Sequence, residues 1–495
     1  MGKTEVIAED NRLMKVCLLT AIGTGLTVLG DSYGTMLFLT YYKADSLPYL
    51  YVTLGLLSLA TSQVLQNWQQ KDMISCLKKS HIGFIITLLA SFYLLVYEVA
   101  HAAFLLSLLT LATAFTILTS YWNLVSMIFD LREFKQLGRW ILASSTLGGL
   151  IIGIIVPILL KFVPPNALLI LFIVLIFLAY LLLLSVHVKK TQIIAPNKRT
   201  HSSSSYSLLR QPLFLYLFAS YFLVIFTHIS IDFNLKKELY LVYNEVQIGS
   251  FLAPFFAITM GITIIGQFFI LPIVIRMTGV VGLIAICSII TLVGSLFVFQ
   301  YPSLISATIL TGFEEVARFT FYSMGLKMVI NVFPQRARIE ANFLLKNKAR
   351  NISAILAAAL LSIFVKLQWY QFIMILVFTV SIIMIFIAVK VSKYYYITLK
   401  NSINLHRFSD EYLTIKRTDD AFRNRVIKIA IEEKSEDAVI FALSLLQNQR
   451  LKEIPNYVME QLNNKSILVR KLLIKIVCVR SYKMRLMQRP RVLAC

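Results

Sequence analysis

The chain has 495 residues, of which 58% are hydrophobic and only 15% charged, where an ordinary soluble protein carries about 25% charged residues. With a mean hydropathy of +0.75, this composition excludes a soluble enzyme. The formal charge of +23 is unevenly spread: 20 Lys and Arg against 10 Asp and Glu fall after residue 392, so a charge-poor apolar body precedes a densely basic tail.

A hydrocarbon core about 30 Å thick needs roughly 20 apolar residues per helical span. Twelve stretches qualify, near 16–40, 47–66, 82–98, 102–127, 140–160, 166–187, 213–231, 250–275, 279–299, 302–330, 351–366 and 370–391. The polar opening Met1 to Lys15 leads into an apolar run too long for a signal-peptide core, so the first helix is expected to stay. The expected fold class is all-α integral membrane, with twelve transmembrane helices in a 6+6 major-facilitator-like arrangement and a small cytoplasmic helical domain. The expected segments are an N-terminus at 1–15, a first half at 16–187, a basic linker at 188–212, a second half at 213–392 and a tail at 393–495. The linker assignment rests on Ala195-Pro196, the serine run Ser202 to Ser205 and its basic residues. Two such halves rocking about a central site are common among secondary transporters.

Orientation follows from where Lys and Arg fall. The N-terminus and even-numbered connections carry twenty of them, the last group being Arg336, Arg338, Lys346, Lys348 and Arg350; the odd connections carry five, Lys43, Lys161, Lys236, Lys237 and Lys366. The asymmetry places both termini in the cytoplasm, and the cytoplasmic (inner) membrane of a bacterium is the expected location. Within spans, Gly30 with Gly34 and Gly149 with Gly153 have the small-residue spacing of helix contacts.

Ionisable groups inside a span are costly and usually face a bundle interior with partners. In the first span Asp31 sits beside Gly30, Ser32, Tyr33 and Thr35, with no basic residue within a turn on its own helix. In the seventh, His228, Asp232, Lys236 and Lys237 follow one another; Asp232 and Lys236 are four apart, in the order that suits an intrahelical pair. His228 reads as a hydrogen-bonded bundle histidine. In the tenth, Glu314 and Glu315 lie four and three residues before Arg318, so one guanidinium can pair with either. That helix either neutralises its own charges or serves a substrate or proton. Lys327, nine residues on, either snorkels to the cytoplasmic boundary or faces a cavity.

Other chemistry is not indicated. The chain lacks a GxxxxGK[ST] phosphate loop, HExxH, GxSxG and paired CxxC motifs, and the six histidines are scattered. The five cysteines, Cys17, Cys76, Cys287, Cys478 and Cys495, suggest neither a disulfide framework nor a zinc site. No enzyme, cofactor or metal is expected.

Gly30-Asp-Ser-Tyr-Gly-Thr-Met-Leu-Phe-Leu-Thr40 with Leu47-Pro-Tyr-Leu-Tyr51 resembles the opening of the nucleotide transporter family, the ATP/ADP translocases (ATP:ADP antiporters) of plastids and intracellular bacteria and their bacterial relatives. Asp130-Leu-Arg-Glu-Phe-Lys-Gln-Leu-Gly138 with Gly148 and Gly149 is similar to that family's connection between helices four and five. Ile231-Asp-Phe-Asn-Leu-Lys236 is similar to its seventh-helix segment, and Glu315 to Pro334 with Arg336 and Arg338 resembles its tenth-helix region, with Lys327 on the family's lysine. After Lys327 the chain departs from the family, with Met328-Val329-Ile330 in place of an acidic residue and a Tyr or Ile and Pro run. The resemblance implies the fold and a carrier mechanism and leaves the substrate open. For a nucleotide or other phosphorylated anion, Lys236, Arg318 and Lys327 are the natural phosphate partners. Asp31, Asp232, Glu314 and Glu315 would balance them or carry a coupling proton.

Past Lys393, short amphipathic helices are expected at 419–433, 436–447, 453–463 and 466–479, and the stretch around Val469-Arg470 looks like a HEAT repeat. Two helix pairs are too few to stand alone, so the tail must lean on the membrane body, on another copy or on a protein partner. Its final basic residues, Lys471 to Arg491, are read as a contact for anionic lipid headgroups rather than nucleic acid. Two functions follow: a carrier for a nucleotide or related organic anion, exchange or proton coupled, or a transport-inactive membrane scaffold whose tail recruits a protein.

Overall fold

The computed structural model describes residues 3–69, 73–129, 131–185, 208, 210–330, 332–333 and 335–404. Most of the linker and the tail from 405 onward, with its HEAT-like and lipid-contact readings, lie outside the described residues. Two units divide at Ser392 and Lys393, and of the second only the end of the last helix is described.

All described regular structure is helical. The first half comprises α1 (Lys3–Tyr41), α2 (Leu47–Gln69), α3 (Met73–Val96), α4 (Ala102–Ile128), α5 (Leu131–Leu159) and α6 (Ala167–Leu184). The second comprises α7 (Pro212–Val242), α8 (Glu245–Ile265), α9 (Leu271–Gln300), α10 (Leu304–Ala317), α11 (Ser323–Ile330), α12 (Gln335–Phe343), α13 (Arg350–Lys366) and α14 (Tyr370–Asn404). Three short π-helical segments, Gly266–Ile270, Arg318–Tyr322 and Leu344–Ala349, join α8 to α9, α10 to α11 and α12 to α13. The twelve expected spans thus have twelve counterparts. The tenth is α10 with α11, interrupted by its π segment, and the eleventh is α12 with α13.

Composition and lipid explain these helices together. On α6, Phe172, Ile176, Ala179 and Leu183 are buried while Ile170, Val174, Phe177, Leu181 and Leu184 are exposed. A helix apolar on both its packed and its outer face requires an apolar solvent. Among the described residues ten helical stretches are long and apolar enough to cross a bilayer, and the chain is a multi-pass integral membrane protein. Helix ends follow ordinary rules: Pro212 opens α7, and Ser303 accepts from the Ser306 amide at 3.3 Å at the start of α10. Between the eighth and ninth spans, Gly279 takes φ 70°, a left-handed conformation natural to glycine.

Several boundaries differ from expectation, for one reason. The apolar runs end at 231 and begin at 351, yet α7 runs on past Ile231 through Asp232, Lys236 and Lys237, and the eleventh rod starts at Gln335. Continuous backbone hydrogen bonding carries a helix through charged residues whose side chains find partners inside the bundle.

Two seams join the halves: α5 packs against α8, and α2 against α13. Adding six to each rod number turns the pair five-eight into eleven-two, so the seams are related as a repeated six-helix topology requires. The α1 helix runs through the centre, packed on α4, α5, α6 and α8. Close approach depends on glycine at two places. A Cβ at Gly148 would overlap the Ala21 backbone of α1, and one at Gly153 would meet the Ala253 carbonyl oxygen and the Ala257 side chain across the α5–α8 seam. A hydroxyl pair, Thr24 and Ser145 at 2.5 Å, lies along the same α1–α5 contact.

Candidate functional site

The face at which α6 ends and α7 begins is called the linker face. Three groups of polar side chains lie at successive depths between it and the opposite face.

The first, towards the opposite face, crosses between the halves. The Lys236 Nζ of α7 sits 2.9 Å from Asp31 Oδ1 of α1 and 2.9 Å from Asp232 Oδ2 one turn back on its own helix. Tyr51 of α2 donates its hydroxyl to Asp232 Oδ2 at 2.7 Å, and Thr35 donates to Asp31 Oδ1 at 3.4 Å. The Lys236 side chain is 3% exposed and each carboxylate 17%. One lysine therefore holds two carboxylates, one from each half, and Tyr51 adds a second link across the boundary. Around it an apolar cluster mixes both halves, with Phe38, Leu47 and Leu50 packed among residues such as Ile231, Leu235 and Leu252. Removing one partner from such a buried arrangement costs about 3–5 kcal/mol.

The second group lies one turn deeper. His228 stacks below Asp232 and Lys236 at four-residue spacing on α7, and its Nδ1 is 3.0 Å from Glu314 Oε2 and 3.8 Å from Glu315 Oε1. The Arg318 Nε donates to Glu314 Oε1 at 3.0 Å, and a guanidinium NH2 group donates to Glu315 Oε1. The ring of Phe319 covers Arg318 Cζ at 4.5 Å. Potential ligand atoms of His228, Glu314 and Glu315 lie within 4.8 Å of one another, as a cation site would require. Arg318 nevertheless already engages both carboxylates and stands where such a cation would compete.

The third group lies towards the linker face and differs in kind. Lys327 Nζ is 5.4 Å from the Trp122 ring centre, and Arg350 Cζ is 4.8 Å from that of Phe115. Phe115 and Trp122 are seven residues apart and share one face of α4, so a first-half helix presents two aromatic faces to cations of the second half. Lys346, in the π segment before α13, is within Coulombic range of both Lys327 and Arg350. All three side chains are half-buried, and no salt bridge to them occurs among the described residues.

The seven sequence-derived candidates thus fall into separate groups. Asp31, Asp232 and Lys236 come together, as do Glu314, Glu315 and Arg318, while Lys327 stands apart, roughly 14 Å beyond Arg318 at the helical rise. Lys327 lies against Trp122, and Lys236 and Arg318, read as phosphate partners, are each engaged by two carboxylates. Tyr51 stands in the Leu47–Tyr51 segment, but nothing local points its hydroxyl to Asp232, 181 positions away. Lys346 and Arg350 count as charges of a connection in the sequence, because the apolar run of the eleventh span begins only at 351. The signal available was the spacing: Lys346 and Arg350 are four apart and continue directly into an apolar helix.

Neither a protein-family model nor a curated protein sequence matches the chain. The fold is similar to that of solved transporters. The nucleoside transporter NupG aligns with a TM-score of 0.56 at 15% identity, over 78% of this chain and 100% of its own. A bacterial homologue of the iron transporter ferroportin aligns with a TM-score of 0.50 at 16% identity in its outward-facing state, over 76% of this chain and 99% of its own. These likenesses establish a major-facilitator-like membrane fold.

Proposed function

We propose that the chain is a secondary carrier working by alternating access, and that it moves a nucleotide of the ATP/ADP kind or a related organic anion by exchange or proton coupling. The observation that carries this reading is Lys236, which ties Asp31 of one half to Asp232 of the other at one face of the membrane. Alternating access requires a link that is closed in one state and broken in the other. The α1–α7 link can part while Lys236 keeps its intrahelical partner Asp232, so opening leaves only Asp31 to be hydrated or protonated. The likeness to transporters of known structure supports the same mechanism.

The anion follows from the third group, where Lys327 carries a charge that no described carboxylate offsets, and from the resemblance to nucleotide translocases. In this reading Asp31, Asp232 and Lys236 act as the gate opposite the linker face. Glu314, Glu315 and Arg318 with His228 form the central balance, and Lys327 meets the substrate. The linker face is cytoplasmic, in keeping with the excess of Lys and Arg there.

The test is uptake of radiolabelled ATP and ADP into proteoliposomes, wild type beside Lys327→Ala, with and without preloaded nucleotide. Saturable uptake that depends on the lysine and is stimulated by internal nucleotide is expected. Absence of uptake of any phosphorylated anion by folded protein would overturn the substrate assignment. If, in addition, a cysteine placed at Phe38 were equally unreactive to a membrane-impermeant thiol reagent in wild type and Asp31→Asn, the gate would fall too.

A further inference from the structure

We infer that His228 is a proton-binding site, taking up one proton at Nε2 while Glu314 holds its other ring nitrogen, and that this proton strengthens the Lys236 link between the halves one turn away. This deepens the carrier reading above by naming the coupling ion, and rests on it for transport but not for proton binding.

The tautomer follows from the partners. Arg318 Nε donates to Oε1 of Glu314 at 3.0 Å and holds that residue as a carboxylate. Its Oε2 can then only accept, so the hydrogen of the 3.0 Å contact with His228 sits on Nδ1. Nε2 carries the lone pair, and it has no hydrogen-bond partner among the described residues. Exposure points to the same ring. The His228 side chain is 23% exposed, against 0% for Glu314 and 7% for Glu315, so the imidazole is the member of the group that water can reach. Protonation forms an N–H bond at Nε2 with a proton from that water. It leaves an imidazolium on Glu314, with Glu315 Oε1 at 3.8 Å from Nδ1.

The surroundings couple this ring to the outer link. Glu314 and Glu315 of α10, Asp232 of its own helix and Asp31 of α1 are each within Coulombic range of His228. The cations paired with these four carboxylates are Lys236 and Arg318, which leaves an excess of two negative charges. One step behind stand Tyr51 of α2 on Asp232, Cys287 of α9 beside Glu314, and Tyr221 and Arg350 beside Arg318. An imidazole ordinarily changes charge between about pH 5 and 8, and its proton removes one of the two excess charges. The imidazolium attracts Asp31 only while α1 lies against α7, so the protonated form favours the closed link. Acid should therefore close the face opposite the linker, and alkali should loosen it.

The experiment is pulsed electron resonance on the full chain in phosphatidylcholine nanodiscs. Nitroxides are attached to p-acetylphenylalanine introduced at Tyr41 and Leu241, exposed positions near the ends of α1 and α7. The short-distance population is expected to rise roughly threefold between about pH 8 and about pH 5.5 in wild type. His228→Gln keeps a donor for Glu314 but takes up no proton, and is expected to show no pH response. Glu315→Gln removes one negative charge without a proton, and is expected to hold the wild-type acid distribution at both pH values. Distances independent of pH in folded wild type would overturn the site, as would an equal response in His228→Gln. Should that variant fail to fold, a response in Glu315→Gln as large as in wild type would overturn it instead. A response lost in His228→Gln from a protein that moves no nucleotide would uphold the proton site while overturning the carrier reading. Nucleotide exchange by a protein without the response would do the reverse.

Discussion

The groups at the two ends of the bundle both place lysine side chains inside the helices and obey opposite rules. Towards the face opposite the linker, Lys236 is surrounded by Asp31 and Asp232, and Asp232 also accepts the hydroxyl of Tyr51. Towards the linker face, Lys327, Lys346 and Arg350 gather without a salt bridge among the described residues, Lys327 over the ring of Trp122 and Arg350 over that of Phe115. Lys236 at one end has its counter-charges in the protein, and at the other end no salt bridge to the three cations occurs among the described residues. A balanced pair can close a seam because its energy is satisfied in place. An unbalanced group stores unfavourable energy that a ligand of opposite sign can release.

That contrast can be broken by removing one charge from each end and measuring unfolding midpoints in detergent. Lys236→Met should have the largest effect, a loss of about 3–5 kcal/mol, because two buried carboxylates from the two halves would face each other unpaired. An unchanged midpoint would mean that the outer group is hydrated and closes nothing. Tyr51→Phe should cost about 1 kcal/mol, since it removes one hydrogen bond to a carboxylate that keeps Lys236. A loss as large as that of Lys236→Met would place the weight of the seam on the hydroxyl. Lys327→Met should be the mildest change and of opposite sign, neutral or stabilising by up to about 1 kcal/mol, because it removes a cation from a cluster of like charge while keeping apolar bulk on Trp122. A strongly destabilised Lys327→Met protein would show that this lysine has a structural partner, and the two ends would no longer differ.

Much of the architecture was legible in the chain itself. Runs of about twenty apolar residues define the spans regardless of what they pack against, because the bilayer imposes that length and demands internally satisfied backbone. Local charge spacing was also readable. Asp232 with Lys236, and Glu314 and Glu315 with Arg318, pair as their three- and four-residue separations imply, since helix geometry alone brings those positions together.

What the sequence could not reveal was every relation that crosses between helices. Asp31 has no basic residue on its own turn, and its partner Lys236 lies 205 positions away; only the tertiary arrangement of the two halves brings their side chains together. Arg350 precedes the apolar run yet lies inside the eleventh rod, which begins at Gln335, and its position over Phe115 depends on a helix of the other half. The physical reason is range. Span length and i to i+4 pairing are fixed by the backbone and its solvent, so the chain determines a twelve-span, two-halved membrane body by itself. Which buried charges are answered and which are left open depends on how distant helices are brought side by side, and only the tertiary structure decides that.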